Sequence, residues 1–131
     1  MTEPPLPIDY LSLEDLLEIA AGVIEHSVVR DLGLLASAAA RPQMSVFGDD
    51  AYPTFTAKVA ALMESIARNH ALVDGNERLT WAAGRVFCLM NGCDLEYDID
   101  EAEALVLDIA QGHLTLSEIA DNLAAHITWR G

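Results

Sequence analysis

The densest chemistry in this chain lies in eleven residues, Arg68-Asn69-His70-Ala71-Leu72-Val73-Asp74-Gly75-Asn76-Glu77-Arg78. His70 is a candidate general base, because an imidazole changes charge near physiological pH. Asp74 supplies a hard oxygen ligand suited to Mg²⁺. Gly75 permits close backbone approach. Arg78 can fork onto phosphate oxygens. A helix beginning near Glu77 adds unsatisfied backbone N–H groups and the positive end of a helix dipole, which together favour an anion. A base, a metal ligand and an anion cradle are the parts needed for phosphoryl or nucleotidyl transfer. The same residues also make an ordinary helix–turn–helix connection, since Asp-Gly-Asn is common turn chemistry and a histidine at a helix end is often only a cap. Spacing alone leaves the turn reading the stronger.

Those residues need two helices to hold them, and the hydrophobic pattern supplies both. Phe55, Val59, Leu62, Met63 and Ile66 recur at helical spacing on the N-terminal side, after Pro53. Helical character resumes near Glu77 and runs to Met90, where Asn91-Gly92 stops it. Further helices are expected over residues 13–24, 33–40, 99–110 and 116–127. Ser12 with Asp15, and Thr115 with Glu118, have capping-box spacing. Residues 42–53 read as an irregular loop or small hairpin. No strand of useful length is apparent. The expectation is an all-α bundle of five to seven helices, with a loose proline-rich segment over residues 1–9 and a single domain over 10–131.

Composition narrows the function classes. The 131 residues are 52% hydrophobic, too apolar for a disordered chain. The longest runs free of charged residues are nine residues, too short to span a membrane. No secretory signal is visible, so a cytoplasmic setting is expected. The formal net charge of −14 argues against direct nucleic-acid binding. No base lies between Arg85 and Arg130, a stretch that carries nine acids. Residues 68–85 hold three arginines against Asp74 and Glu77, a net positive segment inside an acidic protein. His26, His113 and His126 are scattered and carry no site. Cys88 reads as core, and Cys93 as an exposed thiol with nothing nearby to activate it.

His70-Ala71-Leu72-Val73-Asp74-Gly75-Asn76-Glu77-Arg78 resembles the signature of the Fic/Doc family, and of its Doc branch in particular. The resemblance extends to Arg30-Asp31-Leu32-Gly33-Leu34-Leu35, to Ala40-Arg41-Pro42-Gln43 and to Phe47-Gly48-Asp49-Asp50-Ala51-Tyr52-Pro53-Thr54. With Asn91-Gly92 and the stretch from Gly112 to Leu123, it runs from about residue 10 to residue 127.

The resemblance implies a compact helical Fido fold with a short flap, residues 43–52, before the motif helix. It implies a Doc-like toxin, held in check by a small Phd-like antitoxin, that transfers phosphate from ATP to a threonine of elongation factor Tu. His70 would be the base. Asp74 would hold Mg²⁺. Gly75, Asn76 and Arg78 would bind phosphate, with Arg68 adding charge. An apolar groove beside the acidic face would receive a basic partner. Three departures from the pattern bear on activity. Glu77 stands where Doc chains usually carry Lys, placing an opposing charge on the order of several kcal/mol near the phosphates. Leu72 replaces Phe as a core anchor. Trp81 occupies the position where Fic nucleotidyltransferases carry a second Arg, which favours phosphate over nucleotide transfer. The alternatives are a Fic-like nucleotidyltransferase and a Fido domain that acts by binding alone.

Overall fold

Side chains at the helix starts set most of the element boundaries. The computed structural model describes residues 7–130. Helix α1 (Leu13–Val23) opens on a full capping box, Ser12 with Asp15. Asp31 caps α2 (Leu32–Ala40), and Thr54 caps α3 (Phe55–Asn69). After α4 (Asn76–Met90), reciprocal boxes open α5 (Ile99–Ala110), through Asp98 and Glu101, and α6 (Leu116–His126), through Thr115 and Glu118. Each box satisfies orphan N–H groups of its first turn. The helical expectation holds, with six α-helices among the described residues. Residues 1–6 of the segment expected to be loose lie outside the described residues. Within the same segment Asp9 is held from both sides by buried Asn91, whose amide accepts from its N–H and donates to its carbonyl, each at 2.9 Å.

Helix α3 is the centre of the fold. Ten of its fifteen residues are buried, on all sides of the helix, because α2, α4, α5 and α6 pack around it. Gly84 on α4 makes room for Met63 of α3: a Cβ there would lie 2.7 Å from Met63 Sδ and 2.9 Å from its Cγ. Phe55, Leu62, Leu79, Phe87, Ile109 and Ile119 fill the core between these helices.

The flap is a short antiparallel hairpin, β1 (Ser45–Val46) against β2 (Asp49–Asp50), preceded by a 3₁₀ turn, Arg41–Gln43. Two cations on its flanks fasten it to α3. Buried Lys58 pairs with Asp50 at 3.0 Å and donates to the Tyr52 carbonyl. Arg41 pairs with Glu64 at 2.9 Å and donates to Tyr52 Oη at 2.8 Å and Ser65 Oγ at 3.0 Å.

Two expectations need correction. The first is the end of α6: besides the flap, β3 (Cys93–Leu95) pairs antiparallel with β4 (Ile127–Trp129) in the register Asp94 opposite Thr128. Ile127, expected as the last residue of α6, is therefore the first of a strand; its β-branched and aromatic run favours the pleated surface. The second correction is Cys93. As the first residue of β3 it is fully buried, and its Sγ donates to the Cys88 carbonyl at 3.4 Å.

Candidate active site

Two left-handed residues bound the connection between the central helices. Helix α3 terminates at His70, whose φ of 52° and ψ of 48° end the helical run. Helix α4 starts from Gly75, at φ 84°. A side chain at Gly75 is excluded twice, by that φ and by space: its Cβ would lie 2.5 Å from Ile24 Cδ1 and 2.8 Å from Cγ1.

Between these ends the loop is gripped from two directions. On one side it forms a ladder with residues 28–31. Arg30 and Asp31 N–H groups both donate to the Ala71 carbonyl, at 2.8 and 3.0 Å, and Val73 N–H donates to the Val28 carbonyl at 3.0 Å. Val29 and Leu72 face each other in this bridge. On the other side Asn76 Oδ1 accepts from Leu72 N–H at 3.0 Å, and Asn76 Nδ2 donates to Leu72 O at 3.0 Å. Ala71 and Leu72 are buried, so Leu72 does anchor the loop in the core.

Six of the residues singled out by the sequence, His70, Asp74, Gly75, Asn76, Glu77 and Arg78, line one open cavity of about 320 Å³, together with Ala67 and Val73. Asp74 Oδ1 accepts from Gly75 N–H at 2.8 Å. The start of α4 faces the same cavity. Unlike the other five α-helices, α4 has no side chain bonded to its first amides. Its first helical partner is found by Leu79 N–H, on Gly75 O at 3.0 Å. The amides of Asn76, Glu77 and Arg78 thus form an N-terminal anion cradle with a dipole behind it.

Two residues sit differently from the expectation. Arg68 is not part of the cavity lining; its guanidinium lies over Gly112 at the end of α5, about 3.2 Å from where a Cβ there would be. Asn76 lines the cavity, but its amide oxygen and nitrogen are engaged in closing the loop. The residues sequence reading passed over are those of the 28–31 segment, above all Arg30. Their only signal is the Arg30-Asp31-Leu32 match, which assigns them no role.

A second, larger hollow of about 570 Å³ adjoins the first and shares Glu77 and Arg78 with it. Val23, Trp81, Ile99, Val106 and Leu107 make most of its wall apolar. Trp81 belongs to this groove, where it packs edge-on against Tyr97 with ring centroids 5.4 Å apart.

No cluster of three or more His, Cys, Asp or Glu side chains is arranged to hold a metal by itself among the described residues. The carboxylates that do line the cavity, Asp74 and Glu77, are hard oxygen donors of the kind Mg²⁺ takes when nucleotide phosphates and water complete its shell. Nor, among the described residues, is any helix long and apolar enough to cross a membrane.

Comparison with known proteins agrees with this geometry. The pattern of the Fic/DOC family matches residues 10–88, from before α1 to near the end of α4. Toxin Doc of Mycolicibacterium smegmatis (strain ATCC 700084 / mc(2)155) is 49% identical over 121 residues, covering 88% of this chain and 92% of that relative. The chain belongs to the Fic/Doc family. Within it the likeness is to the Doc branch. Fic/Doc proteins generally transfer phosphate or nucleotide to proteins, and the residues that line the cavity between α3 and α4 lie within the matched stretch.

Proposed function

We propose that this Doc-like chain is the toxin of a toxin–antitoxin pair, a cytoplasmic kinase that moves the γ-phosphate of ATP to a threonine hydroxyl of elongation factor Tu and so stops translation. The observation that carries the reading is the convergence of His70, Asp74, Arg78 and the uncapped start of α4 on one cavity. In this reading His70 removes the threonine proton as the hydroxyl oxygen attacks the γ-phosphorus. The new O–P bond forms as the bond to the β,γ-bridging oxygen breaks, and ADP departs. The first amides of α4 and the Arg78 guanidinium balance phosphate charge. Asp74 would hold Mg²⁺ with the nucleotide phosphates, and the ion, when bound, neutralises charge on the transferred group.

Phosphate transfer is preferred over nucleotide transfer because Trp81 stands at the position of the second Arg and packs in the neighbouring groove. That groove, flanked by Glu103 and the acid-rich surface of α5, suits a basic, Phd-like antitoxin segment with apolar anchors. Coupled folding of such a segment buries apolar surface at an ordering cost.

The test is transfer of label from γ-³²P-ATP and from α-³²P-ATP to elongation factor Tu, paired with growth arrest on induced expression. γ-Label only, abolished by His70→Ala in a folded protein, is expected; loss of a base typically costs about 10²–10⁴-fold. α-Label on the target makes the chain a nucleotidyltransferase. Neither label, with growth arrest that persists in His70→Ala, makes it a protein that acts by binding.

A further inference from the structure

We propose that Arg30 is a positioning residue that fixes the direction of the His70 ring, an inference that rests on His70 being the base. His70 is one of three non-glycine residues with positive φ among the described residues. An L-residue pays roughly 1–2 kcal/mol for that conformation, so its neighbours must hold it there. The backbone ladder with residues 28–31 acts from Ala71 onward. At His70 itself the grip comes from a side chain: Arg30 Nη2 donates to the His70 carbonyl. That carbonyl lies at the C-terminus of α3, where unpaired carbonyls and the negative end of the dipole favour a cation.

The placement separates Arg30 from the phosphate-binding groups. Arg30 does not line the cavity formed by His70, Asp74, Gly75, Asn76, Glu77 and Arg78. Its backbone N–H bonds to Ala71 O while its guanidinium bonds to His70 O, so one residue secures two successive peptides of the loop. Without the guanidinium, the peptide following His70 is free to rotate toward the helical conformation of α3, carrying the imidazole away from the substrate hydroxyl. Arg30 therefore acts through His70 and touches neither nucleotide nor target.

The matched pair Arg30→Met and Arg30→Lys tests this, because both keep an unbranched stem and only Lys keeps a donor. In the full-length protein, Arg30→Met is expected to lower kcat for γ-phosphate transfer about 10–100-fold, the scale of a misplacement near 1 Å, with KM for ATP within about twofold. Arg30→Lys is expected to recover most of that loss. Independently of activity, the His70 Cε1–Hε1 NMR signal, assigned by its disappearance in His70→Ala, should shift and broaden in Arg30→Met and stay near its wild-type position in Arg30→Lys. Wild-type kcat in Arg30→Met overturns the proposal. So does a rise in KM for ATP alone, which would make Arg30 a source of charge. Equal damage in both variants, an unmoved His70 signal in Arg30→Met, or an unfolded Arg30→Met also overturns it. An inert wild type removes the kinase reading, and the NMR comparison then decides the role of Arg30 by itself.

Discussion

Asn76 offers the sharpest division between two roles for one residue. The family resemblance makes it a phosphate ligand; the geometry makes it the clasp of the 72–76 loop. Leu72 faces Val29 at a bridge whose bonds run on either side, Arg30 N–H to Ala71 O and Val73 N–H to Val28 O. The N–H and C=O of Leu72 therefore point the other way, and Asn76 satisfies both at 3.0 Å. Leu72 is 1% exposed, so removing the amide strands two main-chain groups in a buried residue. Each stranded group costs about 1–3 kcal/mol, with entering water offsetting part. The expected loss for Asn76→Ala is about 2–4 kcal/mol, or roughly 8–15 °C in Tm for a chain of this size. Asn76→Asp keeps an acceptor for Leu72 N–H but sets a carboxylate oxygen against Leu72 O, so it should fall at least as far. Urea unfolding followed by circular dichroism measures both, beside γ-phosphate transfer at a temperature where each variant is folded. A stability loss below about 0.5 kcal/mol together with abolished transfer would refute the loop-holding argument and return Asn76 to the nucleotide.

Three further outcomes follow from the same geometry. Glu77 is an acid in the first turn of α4 and lines both cavities. Glu77→Lys should therefore raise γ-phosphate transfer about tenfold through reversed charge near the nucleotide, while costing about 0.3–1 kcal/mol of stability against the helix dipole; unchanged or lower transfer in a folded variant overturns the electrostatic account of this position. Gly75→Ala adds both a strained φ and a contact with Ile24, so denaturation should show a loss of about 1–3 kcal/mol, relieved in part by Ile24→Val in the double variant. The third concerns pH. Hydrogen bonding to Arg85 at 2.9 and 3.1 Å holds the Asp94 carboxyl below its usual range. A lowered folded pKa gives stability that is present above the unfolded value and lost as pH falls through the folded one. Asp94→Asn should thus be less stable than wild type at pH 7, and the gap should close as pH drops from about 5 to below 3; a gap that persists in acid assigns it to packing.

What the sequence disclosed, and what it did not, divides by range of interaction. Caps act over three residues, and the Ser12–Asp15 and Thr115–Glu118 boxes were legible as strings. The 99–110 helix was legible with its bounds, because Gly112 closes the run, whereas its Asp98 cap emerged only in the structure. The β3–β4 ladder was not legible. Cys93–Leu95 and Ile127–Trp129 are each too short a run to read as strand alone, and their pairing exists only after α5 and α6 bring the two segments together. Burial of Cys93 follows from that same pairing and was missed with it.

The site divides in the same way, with a functional consequence. Most of the residues that line the cavity fall within one short string, His70 and Val73 to Arg78, and a motif records them. The groups that give the motif its shape are not contiguous. Arg30 reaches His70 across forty positions, Ile24 fills the space that forbids a side chain at Gly75, and the 28–31 segment supplies the partners for Ala71 and Val73. Nothing in the types of residues 24–31 announces such work: an isoleucine, two valines and an arginine before a helix cap read as ordinary loop. Arg68 shows the converse. Two residues before His70 and positively charged, it reads from the string alone as a phosphate ligand, yet two positions along α3 turn its side chain about 200° from that of His70, were the helix to continue, and it lies over Gly112. The motif is therefore only half of the candidate site. On the proposed role of His70, the half that aims it at a hydroxyl is built by the connection between α1 and α2, and substitutions there should silence the chain while leaving every motif residue in place.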